Sequence, residues 1–80
     1  MKIKKMEGII EAILFTMGES VELDKIARIL EQDVETTRKV IHNMMDRYEK
    51  EDRGIHIIEL ENAFQMCTKK DTYEYLIRIA

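Results

Sequence analysis

Apolar residues recur at spacings of three and four up to about Tyr48 and alternate after Gly54, a change of period from helix to strand. From about Lys4 to Met17, the residues Met6, Ile9, Ile10, Ile13, Leu14 and Met17 fall on one side at about 100° per residue, which predicts a first helix. Gly18, Glu19 and Ser20 predict a turn, and Val21 is expected to pair briefly as an extended residue. A second helix starts at about Leu23 and turns Leu23, Ile26, Ala27, Ile29 and Leu30 inward, with Glu22 and Asp24 at its electropositive N-terminal end. Gln32 and Asp33 are the short connection to the next helix.

That helix, Asp33 to Asp52, is the longest. Asp33 can accept hydrogen bonds from the free N–H groups of its first turn, and Val34, Thr37, Val40, Ile41, Met44, Met45 and Tyr48 form its buried stripe. Gly54, with Arg53 before it, is expected to mark its end. Next come IHIIELE, a turn near Asn62, and FQMCT, which predict a β-hairpin. Ile55 and Ile57 point one way and Ile58 and Leu60 the other, so either both faces are partly covered or a bulge shifts the register. Asp71 is expected to cap a last helix, with Glu74 in the capping-box position and Tyr73, Leu76, Ile77 and Ala80 as its apolar stripe. The chain stops inside that helix, as a piece of a longer protein would. Three helices and a hairpin, with the second and third helices joined by a short turn that lacks the usual glycine, predict an α+β fold, mainly α, of the winged helix-turn-helix class.

Eighty residues make one small domain, here 1–80. An apolar fraction of 45% with a charged fraction of 36% describes a chain that can fold around a core and keep a polar face on each helix. The net charge of −3 argues against a dedicated nucleic-acid binder, whose affinity comes largely from neutralising phosphates. One cysteine, Cys67, can form neither an internal disulfide nor a thiolate cluster, and a reducing cytoplasm is the expected compartment. Neither a signal peptide nor a membrane span is expected, because Glu7 and Glu11 interrupt the first apolar run.

The longest helix stands where a winged-helix protein reads DNA, and Arg38, Lys39, His42 and Asn43 are the residues that would do so. Its charges are four positive (Arg38, Lys39, Arg47, Lys50) and six negative (Asp33, Glu35, Asp46, Glu49, Glu51, Asp52), a net of −2, and Glu59 and Glu61 flank the hairpin tip where DNA-binding wings carry Arg or Lys. Direct nucleic-acid binding is therefore the alternative reading, as a transcriptional regulator. His42 and Asp46, one turn apart, are too few ligands for a metal, and His56 shows no partner in the sequence. Cys67 has no evident base, so no catalytic, metal or cofactor site is expected. Lys69 and Lys70 are expected to be solvated. What exceeds the needs of one small core is apolar surface. Gly8, Ala12 and Phe15 make a second stripe on the first helix, and Tyr73, Tyr75 and Ile79 add to it on the last. These six are the candidate interface, although Phe15 could instead fill the core beside the hairpin.

Three stretches, IEAILFTMGESVEL at Ile10 to Leu23, RYEKEDRGIHIIEL at Arg47 to Leu60 and AFQMCTKKDTYEYL at Ala63 to Leu76, resemble the N-terminal domain of the segregation and condensation protein B family. The resemblance covers nearly the whole chain and includes no catalytic signature. It implies a non-catalytic winged-helix module, the first of two in the full protein, which forms a homodimer. It also implies assembly with the kleisin subunit, segregation and condensation protein A, on a bacterial structural-maintenance-of-chromosomes ATPase that condenses and partitions chromosomes. Kleisin binding is expected to need the second domain. The implied location is cytoplasmic, on the nucleoid through the complex.

Overall fold

The computed structural model describes residues 1–79. Helix α1 spans Ile3–Met17, and Gly18 ends it in the left-handed region at φ 66, donating its N–H to the Leu14 carbonyl. A two-residue strand β1, Val21–Glu22, leads directly into α2, Leu23–Leu30. Helix α3, Val34–Lys50, is followed by strands β2, Ile55–Leu60, and β3, Ala63–Thr68. A 3₁₀ turn at Lys70–Thr72 and a single helical turn α4, Tyr73–Leu76, complete the described chain. The three strands form one antiparallel sheet in the order β1-β3-β2, which makes β2 and β3 the wing of a winged helix.

The turn between α2 and α3 forms without glycine because Glu31 itself adopts the left-handed conformation, at φ 55. Its N–H donates to the Arg28 carbonyl and that of Gln32 to the Ala27 carbonyl, so two of the carbonyls in the last turn of α2 are satisfied. Asp33 then caps α3 as its sequence position predicts. Its carboxylate accepts from the Thr36 N–H at 3.0 Å and the Thr36 hydroxyl at 2.6 Å, and these bonds hold its pKa below the ordinary value.

The core lies where α1, α2 and α3 meet the inner face of the wing. Ile10, Leu14, Leu23, Ile26, Leu30, Ile41, Met44, Ile57 and Phe64 are its fully buried side chains. Hairpin register runs one-to-one from Ile55 opposite Thr68 to Leu60 opposite Ala63, so there is no bulge. Ile57 is buried, Ile58 on the other face is half-buried and Leu60 is exposed. Val21 pairs with Phe64, and the Leu23 N–H donates to the Asn62 carbonyl, which ties the start of α2 to the turn of the wing.

Several expectations are corrected. Helix α3 ends at Lys50 rather than at Gly54; the residue that follows it, Glu51, is extended, and the positive-φ glycine is Gly18 instead. The Lys69 ammonium, expected to be solvated, donates to the Tyr48 carbonyl at 2.6 Å and the Glu51 carbonyl at 2.9 Å, doing for this helix end what a glycine cap would have done. Asp71 caps no helix. It lies inside the 3₁₀ turn, where the Thr72 hydroxyl donates to the Lys69 carbonyl, and neither that turn nor α4 has a side-chain cap. Tyr73, Leu76 and Ile77 are exposed rather than a packed stripe, and Ala80 lies outside the described residues. Met17 and Ile29, expected in the core, are 44% and 52% exposed. Phe15 is 76% exposed, which rules out the reading that it fills the core.

Candidate protein interface

The position of a DNA-reading helix is occupied here by a face on which Arg38 and His42 already meet a wing carboxylate. Arg38 Nη1 lies 3.8 Å from Glu59 Oε2 and its Nε lies 3.5 Å from Glu35 Oε1. His42 Nε2 lies 3.0 Å from Glu59 Oε1, and its ring meets Phe64 edge-on at a centroid distance of 6.1 Å. One wing carboxylate thus holds two of the four candidate DNA contacts, while Lys39 and Asn43 stay exposed. A duplex approaching this surface would have to displace Glu59 or meet its charge.

The wing also places the two histidines and the cysteine. His42 turns to Glu59 rather than sharing an ion with Asp46, and among the described residues no three His, Cys, Asp or Glu side chains converge as a metal site would require. His56 finds its partner in Glu49 on α3, through Nδ1. Strand register sets Cys67 opposite His56, a neighbour that the sequence did not reveal, yet no hydrogen bond joins them among the described residues.

Apolar surface is concentrated elsewhere. Between α1 and α2 runs an apolar groove of about 420 Å³, lined chiefly by Ile9, Ala12, Ile13, Val21 and Ile29, with Lys25 as its one charged side chain among the described residues. Phe15 stands on the crest of α1 beside it. Helical spacing puts Gly8, Ala12 and Phe15 on the line opposite the buried Met6, Ile10 and Leu14, and all three are exposed. Met17 and Ile29 were missed as surface residues. The signal was present for Ile29, because Leu23, Ile26, Ala27 and Leu30 already complete the three-and-four spacing and Ile29 lies off that stripe. Tyr73, Tyr75 and Ile79 are 50%, 60% and 82% exposed on the C-terminal turns. They are not part of the groove: Tyr73 borders a separate hollow with Glu49, His56 and Lys69.

On the far side of α1, a polar cleft fixes it to α3. Tyr48 donates its hydroxyl to Glu11 Oε2 at 2.7 Å, Arg47 Nη1 donates to Glu7 Oε2 at 3.1 Å, and the Arg53 guanidinium lies 4.7 Å from the centre of the Tyr48 ring. Burial, then the hydrogen bond to the Glu11 carboxylate and its charge, push the Tyr48 phenol up to about 12. Every polar group named in this cleft has a partner, which marks it as a structural brace.

The family model of the segregation and condensation complex subunit ScpB matches residues 8–80. The chain belongs to this family. It is 65% identical over 80 residues to segregation and condensation protein B of Lachnoclostridium phytofermentans, covering all of this chain and 42% of that protein. It is 53% identical over 72 residues to the protein of the same name from Agathobacter rectalis, covering 89% of this chain and 38% of that one. The chain therefore spans less than half the length of these relatives. Among solved structures, it matches an ScpB N-terminal domain, crystallised as a dimer complexed with ScpA peptide, with a TM-score of 0.92 and 33% identity over 98% of both chains. ScpB from Mycobacterium tuberculosis matches with a TM-score of 0.93 over 99% of this chain and 49% of that one; at 22% identity this likeness speaks for the fold alone. The ScpB family serves chromosome segregation and condensation.

Proposed function

We propose that this chain is a non-catalytic winged-helix interaction module, the N-terminal half of a two-domain ScpB protein, which pairs with a second copy of itself and binds the kleisin subunit ScpA. The observation that carries the reading is the near-complete structural match to an ScpB N-terminal domain that forms a dimer with ScpA peptide bound. Exposed Phe15, Met17 and Ile29 around an apolar groove, and exposed Tyr73, Tyr75 and Ile79, supply surface of the kind that interfaces use. In this reading the domain binds a kleisin peptide by itself, in place of the expectation that a second domain is required. The protein works in the cytoplasm, on the nucleoid, through its complex with the kleisin and the ATPase.

DNA regulation is the weaker reading because Glu59 occupies Arg38 and His42. Isothermal titration of this chain with overlapping peptides that span ScpA tests the proposal, with light scattering for the dimer. Saturable binding at micromolar concentration is expected; absence of binding, together with tight and salt-sensitive binding of a DNA duplex, would overturn it.

A further inference from the structure

Five large apolar side chains stand exposed within seven residues at the C-terminal end: Tyr73, Tyr75, Leu76, Ile77 and Ile79. We infer that this segment is the first part of a longer helix, and that its stripe of Tyr73, Leu76 and Ile77 is covered by the part of the same protein that follows Ala80. The inference rests on the reading of this chain as the N-terminal half of a two-domain protein. It adds that the two halves pack together instead of hanging on a free linker.

Local structure supplies the first step. Helix α4 is a single turn, yet helix-type bonds run on past it: the Ile77 N–H donates to the Tyr73 carbonyl, that of Arg78 to the Tyr75 carbonyl and that of Ile79 to the Leu76 carbonyl. The backbone is still turning at the last described residue. At helical spacing Tyr73, Leu76 and Ile77 form one stripe, Tyr75 and Ile79 flank it, and Asp71, Glu74 and Arg78 take the remaining side. This is the pattern of a helix with one face to be covered. No residue of the 3₁₀ turn or of α4 is buried, and one uncovered turn does not repay its own nucleation. Extension and cover would supply what is missing.

Anchoring is the second step. The start of this segment is tied to the domain, because the Lys69 N–H donates to the Gly54 carbonyl at 2.8 Å, the Thr72 hydroxyl donates to the Lys69 carbonyl at 2.6 Å, and the Lys69 ammonium holds the end of α3. The helix therefore leaves the domain in a set direction, which suits a packed neighbour better than a swinging one.

The third step is what is at hand to provide the cover. This chain spans 42% and 38% of the two relatives, and its structural match is to an N-terminal domain, so more than half of such a protein would follow Ala80. A segment that continues directly from the stripe is held near it at an effective concentration on the order of millimolar. A separate chain must first give up its translational and rotational freedom. Continuity of the chain thus favours the following segment over a second copy or the kleisin.

Hydrogen exchange at the amides of residues 73–79 tests this in the full-length protein, with the 80-residue chain as reference, since a solved N-terminal domain of this extent folds without the rest. Exchange is expected to be at least about a hundredfold slower in the full-length protein, whatever the protein concentration. Ile77→Asp should abolish that protection and the milder Ile77→Ser should reduce it about tenfold, whereas Glu74→Gln on the polar side should leave it intact. In the 80-residue chain, Ile77→Asp should leave the urea unfolding midpoint unchanged, because Ile77 is exposed there. Equally fast exchange in both proteins, or protection indifferent to Ile77→Asp, would overturn the inference. So would protection that grows with protein concentration, which would assign the stripe to a second copy, or that appears only on adding ScpA peptides, which would assign it to the kleisin. A natural product that ends at Ala80 would instead remove the two-domain reading itself.

Discussion

Tyr48 shows how one side chain links packing to proton chemistry. Its ring belongs to the core, while its hydroxyl reaches Glu11 and joins α3 to α1. The folded state favours the neutral phenol, with the pKa moved from 10 up to about 12, so its contribution to stability is full below about pH 10 and is lost as pH rises towards 12. Tyr48→Phe should cost about 1 kcal/mol at neutral pH through the lost hydrogen bond. The gap to the parent should narrow between about pH 10 and 12, as read from urea unfolding midpoints. Glu31 offers the opposite case, an exposed residue held at φ 55 where a side chain costs energy and glycine does not. Glu31→Gly is expected to stabilise the domain by about 0.5–1 kcal/mol, after the greater chain entropy of glycine is subtracted, and to raise the urea midpoint at an unchanged slope.

At the scale of the element, α3 shows why one helix end was legible and the other was not. Its N-terminal cap is local, since Asp33 and Thr36 are neighbours in the chain and their chemistry can be read from spacing. Its C-terminal cap is an ammonium delivered from Lys69, beyond the wing, and no local pattern announces it. Lys69→Met should therefore cost about 1 kcal/mol, the worth of a charge-assisted contact that water partly replaces, and should speed amide exchange in the last turn of α3 more than elsewhere. Helix α2 was misjudged in a related way. Five apolar residues suggested five buried ones, but an eight-residue helix turns only one stripe inward, and Ile29 lies off that stripe at the groove. The last helix was overread because a capping-box pattern needs a helix long enough to repay nucleation, and Tyr73–Leu76 is one turn.

For the whole molecule, the arrangement of charge decides what a winged helix is used for. Glu59 on the wing reaches across to Arg38 and His42, so the two elements that would grip DNA together hold one another instead. Glu59→Lys should reverse this by releasing Arg38 and His42 and adding a positive charge beside them, and it is expected to tighten binding to a labelled duplex about tenfold or more at low salt, with most of the gain lost on adding salt. The parent chain should show only weak binding in the same titration. A parent that binds as tightly as the variant would mean that the wing carboxylate does not control this face.

The order of the main elements, most of the buried stripes of α1 and α3, the Asp33 cap, the winged-helix plan and the acidic character of the reading face were legible along the chain. All of these depend on neighbours within a few residues or on sums of charge, and such quantities are written along the chain. Only the tertiary structure decided that Phe15 stands outside the core, that Glu59 closes on His42, that Lys69 ends α3, and that Ile9, Ala12, Ile13 and Ile29 leave a groove between two helices. Each of these joins residues far apart in the chain, or concerns the outer side of a helix whose inner side had already satisfied the pattern. Periodicity identifies the face that must be covered; whether the remaining apolar side chains find cover depends on the length and position of the neighbouring elements.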